Sequence, residues 1–145
     1  MKPSKLLIGL AVVPFLLSAC SNKAGSQYYK QAVNEIKETV IEYLKDKGAH
    51  SSEYAPKEYT LTKFYVSYSD AYIVGEQWAC VINYTFKFDK LDINTEVVEK
   101  EQESAFVFYS VMAGELTFDD NNVDNYNKLK DTEGSKHVVY EAQKY

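Results

Sequence analysis

The stretch "WACVINYTFKF", residues 78–88, decides the expected fold because its large apolar residues alternate with smaller or polar ones. Side chains of a β-strand point alternately to opposite faces, so every second residue shares a face. One face then carries apolar or aromatic side chains throughout: Trp78, Cys80, Ile82, Tyr84, Phe86 and Phe88. The pattern predicts a strand at about 76–89 with one face against a hydrophobic core, and it predicts that Cys80 is a buried thiol.

The segments on either side of this strand predict an α+β domain. Before it, apolar residues recur at the steps expected of an amphipathic helix; they are Tyr29, Val33, Ile36, Val40, Tyr43 and Leu44. Strand-forming residues dominate at about 58–68, 98–113 and 136–143, and a loop, "SYSDAYIVGE", joins the first two strands. We expect one N-terminal amphipathic helix packed on an antiparallel sheet of roughly four strands. This order of elements resembles that of small cystatin-like and NTF2-like domains, in topology only.

The start of the chain has the features of an export signal. Lys2 and Lys5 precede an apolar run, Leu6–Ala19, that is shorter than the roughly 20 residues a membrane-spanning helix needs. The run ends in small residues and a cysteine: Leu17-Ser18-Ala19-Cys20. These four residues resemble the lipobox of bacterial lipoprotein precursors.

The resemblance to a lipoprotein implies that Cys20 is lipidated and becomes the first residue of the mature chain. It divides the chain into a signal peptide at 1–19, a lipidated cysteine and tether at 20–27, and one α+β domain at 28–145. Ser21 resembles an outer-membrane address, so we expect a protein held by palmitate in the outer membrane of a Gram-negative bacterium, with the periplasmic and the outer leaflet both open as its side of attachment. An ordinary signal peptide, with Cys20 a plain thiol, is the alternative.

Composition narrows the classes of function. Removal of residues 1–19 takes away two of the 16 basic residues and none of the 21 acidic ones, so the net charge changes from −5 to −7. Every basic residue is a lysine, which argues against nucleic-acid binding, because arginine is the preferred side chain for bidentate phosphate contacts. An acidic domain is instead suited to a basic protein partner, which it attracts over a distance.

The stretch "SAFVFYSVM", residues 104–112, is apolar on both faces of its predicted strand. A single helix covers only one face of a sheet, and large apolar patches are rarely left bare. We therefore expect the face that carries Val107, Tyr109 and Val111 to contact a partner or a second copy of the chain. The alternative is that the C-terminal segment folds back over that face.

The acidic stretches contain one weak candidate for a calcium site and predict one exposed edge of the sheet. Asp120, Asn122 and Asp124 have the spacing of the first calcium ligands in a binding loop, but the glycine and glutamate expected later in such a loop are missing. An Asn/Asp-rich turn that leads into a short helix over 123–129 is the favoured alternative. Three glutamates share one side of a strand and predict a solvated sheet edge: Glu99, Glu101 and Glu103.

The sequence lacks the patterns of known catalytic sites. His50 and His137 are far apart, no His/Cys spacing matches a zinc site, and no nucleophile elbow is found. We expect no enzyme activity and no cofactor. The prediction is a membrane-anchored envelope lipoprotein that acts as a non-enzymatic binding or assembly module. The alternative is a surface inhibitor, or an exclusion or immunity factor, that acts on a hydrolase or an incoming element.

Overall fold

The computed structural model describes residues 23–49, 58–91 and 96–145 of the chain, which form two helices and seven strands. The helices are α1 (Ser26–Ala49) and α2 (Asn122–Asp131). The strands are β1 (Glu58–Val66), β2 (Ser69–Val74), β3 (Gln77–Leu91), β4 (Glu96–Ser110), β5 (Glu115–Thr117), β6 (Lys136–Tyr140) and β7 (Gln143–Lys144). The predicted signal peptide 1–19 and Cys20 lie outside the described residues. Neither described helix is long and apolar enough to cross a membrane.

The seven described strands form one antiparallel sheet built around β3. Along one side, β3 pairs with β4 over its whole length. Along the other side, the first residues of β3 pair with β2 and the last ones pair with β1. Strands β6 and β7 lie outside β2 and β1, and β5 adds three residues to the outer edge of β4. Because β3 is central, its residues contribute to the packing on both faces of the sheet.

The described part of the chain has seven strands, where the sequence predicts about four. The largest difference is β2, which the sequence assigns to a loop because Ser69 and Asp70 are weak strand formers. Main-chain pairing on both of its edges, with β3 and with β6, outweighs that local preference. Strands β1 and β2 follow one another along the same side of β3, and β5 and β7 are short additions at the margins.

Helix α1 covers one face of the sheet, with the apolar stripe that its periodicity predicts. Its buried residues are Tyr29, Ala32, Val33, Ile36, Val40 and Leu44. They pack in one core with the even-numbered residues of β3 from 78 to 88, of which Trp78, Ile82 and Phe88 are at most 1% exposed. Burial of each large apolar side chain contributes about 1.5–3 kcal/mol, so this layer is the main core. Cys80 is buried here, as predicted, and desolvation raises the pKa of its thiol.

Helix α2 packs on the opposite face, over the beginning of β3. Tyr126 makes edge-on ring contacts with Tyr72 of β2 and Phe106 of β4, at 5.4 and 5.6 Å between ring centroids. Leu129 is buried beneath the same helix. The short helix predicted over 123–129 is therefore confirmed. Since α2 has 10 residues and α1 has 24, the two faces are covered to different extents.

Candidate functional site

A row of aromatic side chains runs along the last part of β3, on the face covered by α1. Tyr84, Phe86 and Phe88 follow one another with ring centroids 6.3 and 6.0 Å apart. They form a row because side chains two residues apart in a strand point to the same face. Phe86 and Phe88 are fully buried, whereas Tyr84 is only partly buried. The row is thus buried at Phe86 and Phe88 and reaches an accessible surface at Tyr84.

A groove with a volume of about 250 Å³ opens beside this row, between α1 and β4. We call it the acidic groove, and its lining residues are Thr39, Val40, Tyr43, Tyr84, Phe86, Glu101 and Glu103. Helix α1 forms one wall, β3 the floor and β4 the other wall. The register of the sheet sets Glu103 opposite Tyr84 and Glu101 opposite Phe86. Carboxylates and aromatic rings therefore face the same space.

The two carboxylates lie along an edge of the sheet. Strand β5 pairs with β4 only at residues 108–110, and within the described chain no other strand pairs with that side of β4. The prediction of a solvated edge is therefore confirmed for Glu101 and Glu103. Alternation along the strand also places both side chains on the same face as the buried Val107, which is the face that α1 covers. Because Glu101 and Glu103 point to the side covered by α1, this edge of β4 forms one wall of the acidic groove.

Negative charge is concentrated at the open end of the acidic groove. Burial raises the pKa of Tyr84 above its ordinary value, and the charges of Glu103 and Glu101 raise it further. The Tyr84 hydroxyl therefore stays protonated at neutral pH and can donate a hydrogen bond. Glu101 lies 3.7 Å from Lys47, with both side chains about one third exposed. Glu103 is exposed and makes no ion pair with another described residue.

Lys47 shows how this surface holds a cation. Its Nζ lies 5.3 Å from the ring centroid of Phe88, 5.5 Å from that of Tyr59 and 5.6 Å from that of Tyr43. The same ammonium group is 3.7 Å from Oε1 of Glu101. A cation within about 6 Å of a ring centroid is attracted by the quadrupole of the ring. The acidic groove continues this combination of rings and carboxylates along β3.

The structure separates the three residues that the sequence predicts as a partner surface. Val107 is fully buried under α1, and Tyr109 is partly buried, with its ring stacked on Tyr28 at 4.1 Å between centroids. Helix α1 thus covers the face that the sequence analysis leaves open, while α2 packs on the opposite one. Val107 offers no surface to a partner. Only Val111, which is 48% exposed at the end of β4, remains widely accessible.

Asp120, Asn122 and Asp124 do not form a calcium-binding loop. The chain from Asn122 to Asp131 is helical, whereas the calcium spacing requires a loop there. The side-chain amide of Asn122 is buried and donates hydrogen bonds to the carbonyl oxygens of Thr117, at 2.7 Å, and Phe106, at 3.1 Å. It holds the start of α2 against the sheet, while Asp120 and Asp124 are exposed. In the described ranges, no three His, Cys, Asp or Glu side chains are grouped as metal ligands.

His137 and Asp70 form a polar pair that sequence reasoning misses. His137 Nε2 lies 2.8 Å from Asp70 Oδ1, and the imidazole ring stacks on Tyr72 at 4.7 Å between centroids. The residues meet because β6 pairs with β2 and sets His137 opposite Tyr72. A separation of 67 residues along the chain gives no local signal for such a pair. Both side chains are nearly half exposed, and the contact links β6 to β2.

In comparisons with known proteins, no family model, curated protein or solved structure matches the chain. The chemistry of the described residues therefore carries the functional argument. The acidic groove combines a concave shape, accessible ring faces and two carboxylates, and this combination is suited to a cationic side chain. The sequence signal for it is the shared alternation of Glu101 and Glu103 with Val107, read together with the aromatic row of β3.

Proposed function

We propose that this protein is a bacterial envelope lipoprotein, anchored through Cys20, whose single domain binds a lysine-containing segment of a partner protein in the acidic groove without catalysing a reaction. The observation that carries the proposal is the position of Lys47 against three aromatic rings and Glu101. The chain itself thus supplies an example of the contact that a partner lysine would make. Tyr84, which is partly buried, and the exposed Glu103 would receive that second ammonium group, with Phe86 as the buried floor beneath them.

Charge favours a basic partner over a neutral one. The chain after residue 19 carries a net charge of −7, which attracts a basic surface before contact. In the groove, an incoming ammonium group would lose part of its hydration shell and gain contacts with Glu103 and the partly exposed ring of Tyr84 in exchange. Such contacts contribute about 0.5–2 kcal/mol each, so binding of one lysine would be weak and a multivalent partner segment is expected.

The proposed location rests on the lipobox residues, which end at Cys20, and on Ser21. Lipidation of Cys20 would hold the domain at the membrane, and Ser21 favours the outer membrane of a Gram-negative cell. A domain fixed at a surface meets its partner at a high local concentration, which makes weak contacts effective. An anchored binding module therefore agrees with the small size of the groove.

The proposal is tested by titrating the lipidated protein, in detergent micelles, with a hexalysine peptide in a calorimeter. We expect Glu103→Gln to weaken binding several-fold because it removes a groove carboxylate without touching the core. The matched control is Glu115→Gln, which removes the same charge from an exposed strand residue outside the groove. A decrease specific to Glu103→Gln supports the groove.

Two outcomes would contradict the proposed site. Equal weakening by Glu103→Gln and Glu115→Gln would show attraction by net charge alone. Unchanged binding in both variants would show that the peptide contacts another surface.

A further inference from the structure

The turn between β4 and β5 exposes apolar side chains at one pole of the molecule. Val111 is 48% exposed and Met112 is 97% exposed. We call residues 111–114, "VMAG", the apolar tip. Backbone N–H groups of Ala113 and Gly114 donate to the carbonyl oxygen of Ser110, so the tip is a defined turn rather than an extended strand. The exposed methionine and valine together give this turn a small apolar surface that the packing of the domain leaves uncovered.

The apolar tip lies at the same pole as the beginning of α1. Tyr109, two residues before Val111, stacks on Tyr28 in the first turn of α1. Trp78, the β3 partner of Tyr109, packs directly against Gly25. These contacts place the start of the helix and the end of β4 side by side.

Only a short chain joins the predicted anchor residue, Cys20, to the beginning of α1. The residues before α1 are fixed on β6, because Lys23 Nζ donates to the carbonyl oxygen of Val139 at 2.7 Å. The carbonyl oxygen of Ala24 accepts a hydrogen bond from the Tyr140 hydroxyl at 2.6 Å. Cys20 precedes Lys23 by three residues, which span at most roughly 10 Å. A lipid attached to Cys20 would therefore hold the beginning of α1 near the bilayer, and the apolar tip lies at the same end of the sheet.

We propose that Val111 and Met112 insert into the interface of the same membrane that holds the Cys20 lipid, so that the domain has two attachment points. This inference rests on the anchor in the proposed function. The expected surface is zwitterionic lipid, because two charged residues that border the tip are acidic and exposed: Glu115, which follows Gly114, and Glu76, whose backbone carbonyl oxygen accepts from the Val111 N–H. Attraction to anionic headgroups would require basic residues at these positions. Apolar insertion is the interaction that the tip supports.

A second attachment point would fix the orientation of the domain. Helix α1 has 24 residues and is therefore about 36 Å long. It begins at the tip pole and runs over the sheet to Leu44 and Lys47, beside the acidic groove. With the tip in the membrane, the acidic groove, which lies toward the other ends of β3 and β4, is held away from the bilayer. A lipid tether alone would allow the domain to rotate.

The test uses the full lipidated protein in phosphatidylcholine vesicles that contain a brominated lipid, which quenches nearby tryptophan fluorescence. Met112→Trp places a reporter in the tip, and the wild-type chain, whose one tryptophan is the buried Trp78, supplies the background. Tyr68→Trp is the matched control, since Tyr68 is 63% exposed and lies at the break between β1 and β2, away from the tip. We expect emission from Met112→Trp to shift to shorter wavelength and lose intensity, and emission from Tyr68→Trp to do neither.

Each other outcome would overturn the inference in a distinguishable way. Protein that floats with the vesicles but shows no quenching of Met112→Trp is anchored without tip insertion, and the proposed function then stands. Protein that does not float at all lacks the anchor, and both proposals then fail. A shift that grows with protein density in vesicles without bromine, and that bromine does not quench, assigns the tip to a second copy of the chain. Far-ultraviolet circular dichroism confirms that both variants are folded.

Discussion

The two ends of α1 meet the same sheet with similar aromatic residues but form different structures. At its beginning, Tyr28 and Tyr29 stack on Tyr109 and Tyr140, at 4.1 and 4.2 Å between ring centroids. Trp78 closes this end by donating a 3.0 Å hydrogen bond to the Tyr140 hydroxyl. At its other end, Tyr43 is 45% exposed and an open groove separates the helix from β4.

The difference between the two ends follows from the residues of β4. Val107 and Tyr109 stand opposite Cys80 and Trp78 at the closed end, so apolar surfaces meet and water is excluded. Glu101 and Glu103 occupy the equivalent alternating positions at the open end. Carboxylates are costly to bury without full compensation, so the helix cannot close over them. Aromatic residues alone therefore do not determine whether an interface is sealed or remains a binding site.

The sharpest test of the closed end is Gly25→Ala. Gly25 has φ +76°, and a Cβ there would lie 2.5 Å from the Trp78 ring and 2.8 Å from the Tyr140 hydroxyl. We expect a loss of about 2–5 kcal/mol in the free energy of unfolding, from left-handed backbone strain and overpacking together. Urea denaturation of the variant measures it.

Gly114→Ala is the matched control for this substitution. Gly114 has φ +73°, but nothing lies within 4 Å of the added Cβ. Only the backbone strain remains, so we expect a loss of about 1–2 kcal/mol. Equal losses in the two variants would show that close packing at Gly25 contributes nothing to stability.

A smaller effect is expected from removing one hydroxyl at each end of α1. The Tyr140 hydroxyl accepts from Trp78 and donates to the Ala24 carbonyl. Tyr140→Phe leaves both groups without this partner and should lower the free energy of unfolding by about 1–3 kcal/mol. Tyr84→Phe, in the acidic groove, should change it by less than about 0.5 kcal/mol. Chemical denaturation at neutral pH compares the two, and a larger loss in Tyr84→Phe would reverse the assignment of closed and open ends.

The closed end should also make the protein sensitive to alkali. Burial raises the pKa of Tyr140 from its ordinary 10.0 to about 12, although the Trp78 hydrogen bond lowers it in part. The stability due to the neutral phenol is complete below pH 10. As pH rises from 10 toward 12 the unfolded state loses this proton first, so the free energy of unfolding falls by up to about 1.4 kcal/mol per pH unit.

Urea midpoints measured from pH 9 to 11 test the alkaline effect. Tyr140→Phe should give a shallower decline than the wild type because the titrating group is gone. Other buried tyrosines, such as Tyr29, whose pKa burial also raises, should leave a residual slope. An unchanged slope in Tyr140→Phe would show that Tyr140 does not titrate differently in the folded and unfolded states.

Local sequence patterns are sufficient for several parts of the fold. The apolar steps from Tyr29 to Leu44 predict α1 because one stripe of a helix must be buried. The alternation from Trp78 to Phe88 predicts β3 and the burial of Cys80 for the same reason. Strand β2 was not predictable in this way, since pairing with β3 and β6 decides its conformation. The burial of Asn122 could not be predicted from local sequence for the same reason. Its side chain donates to the carbonyl oxygens of Thr117 and Phe106, which are brought together only when the sheet forms.

The sequence by itself determined which side chains share a face: Val107 with Tyr109, Glu101 with Glu103, and Tyr84 with Phe86. Those relations depend only on the two-residue period of a strand. Only the tertiary structure decided that α1 lies over that face and that the register sets Glu103 opposite Tyr84. Helix placement and strand register depend on the summed packing of residues far apart in the chain, and no local pattern contains that sum. The buried Val107 and the acidic groove are both consequences of it.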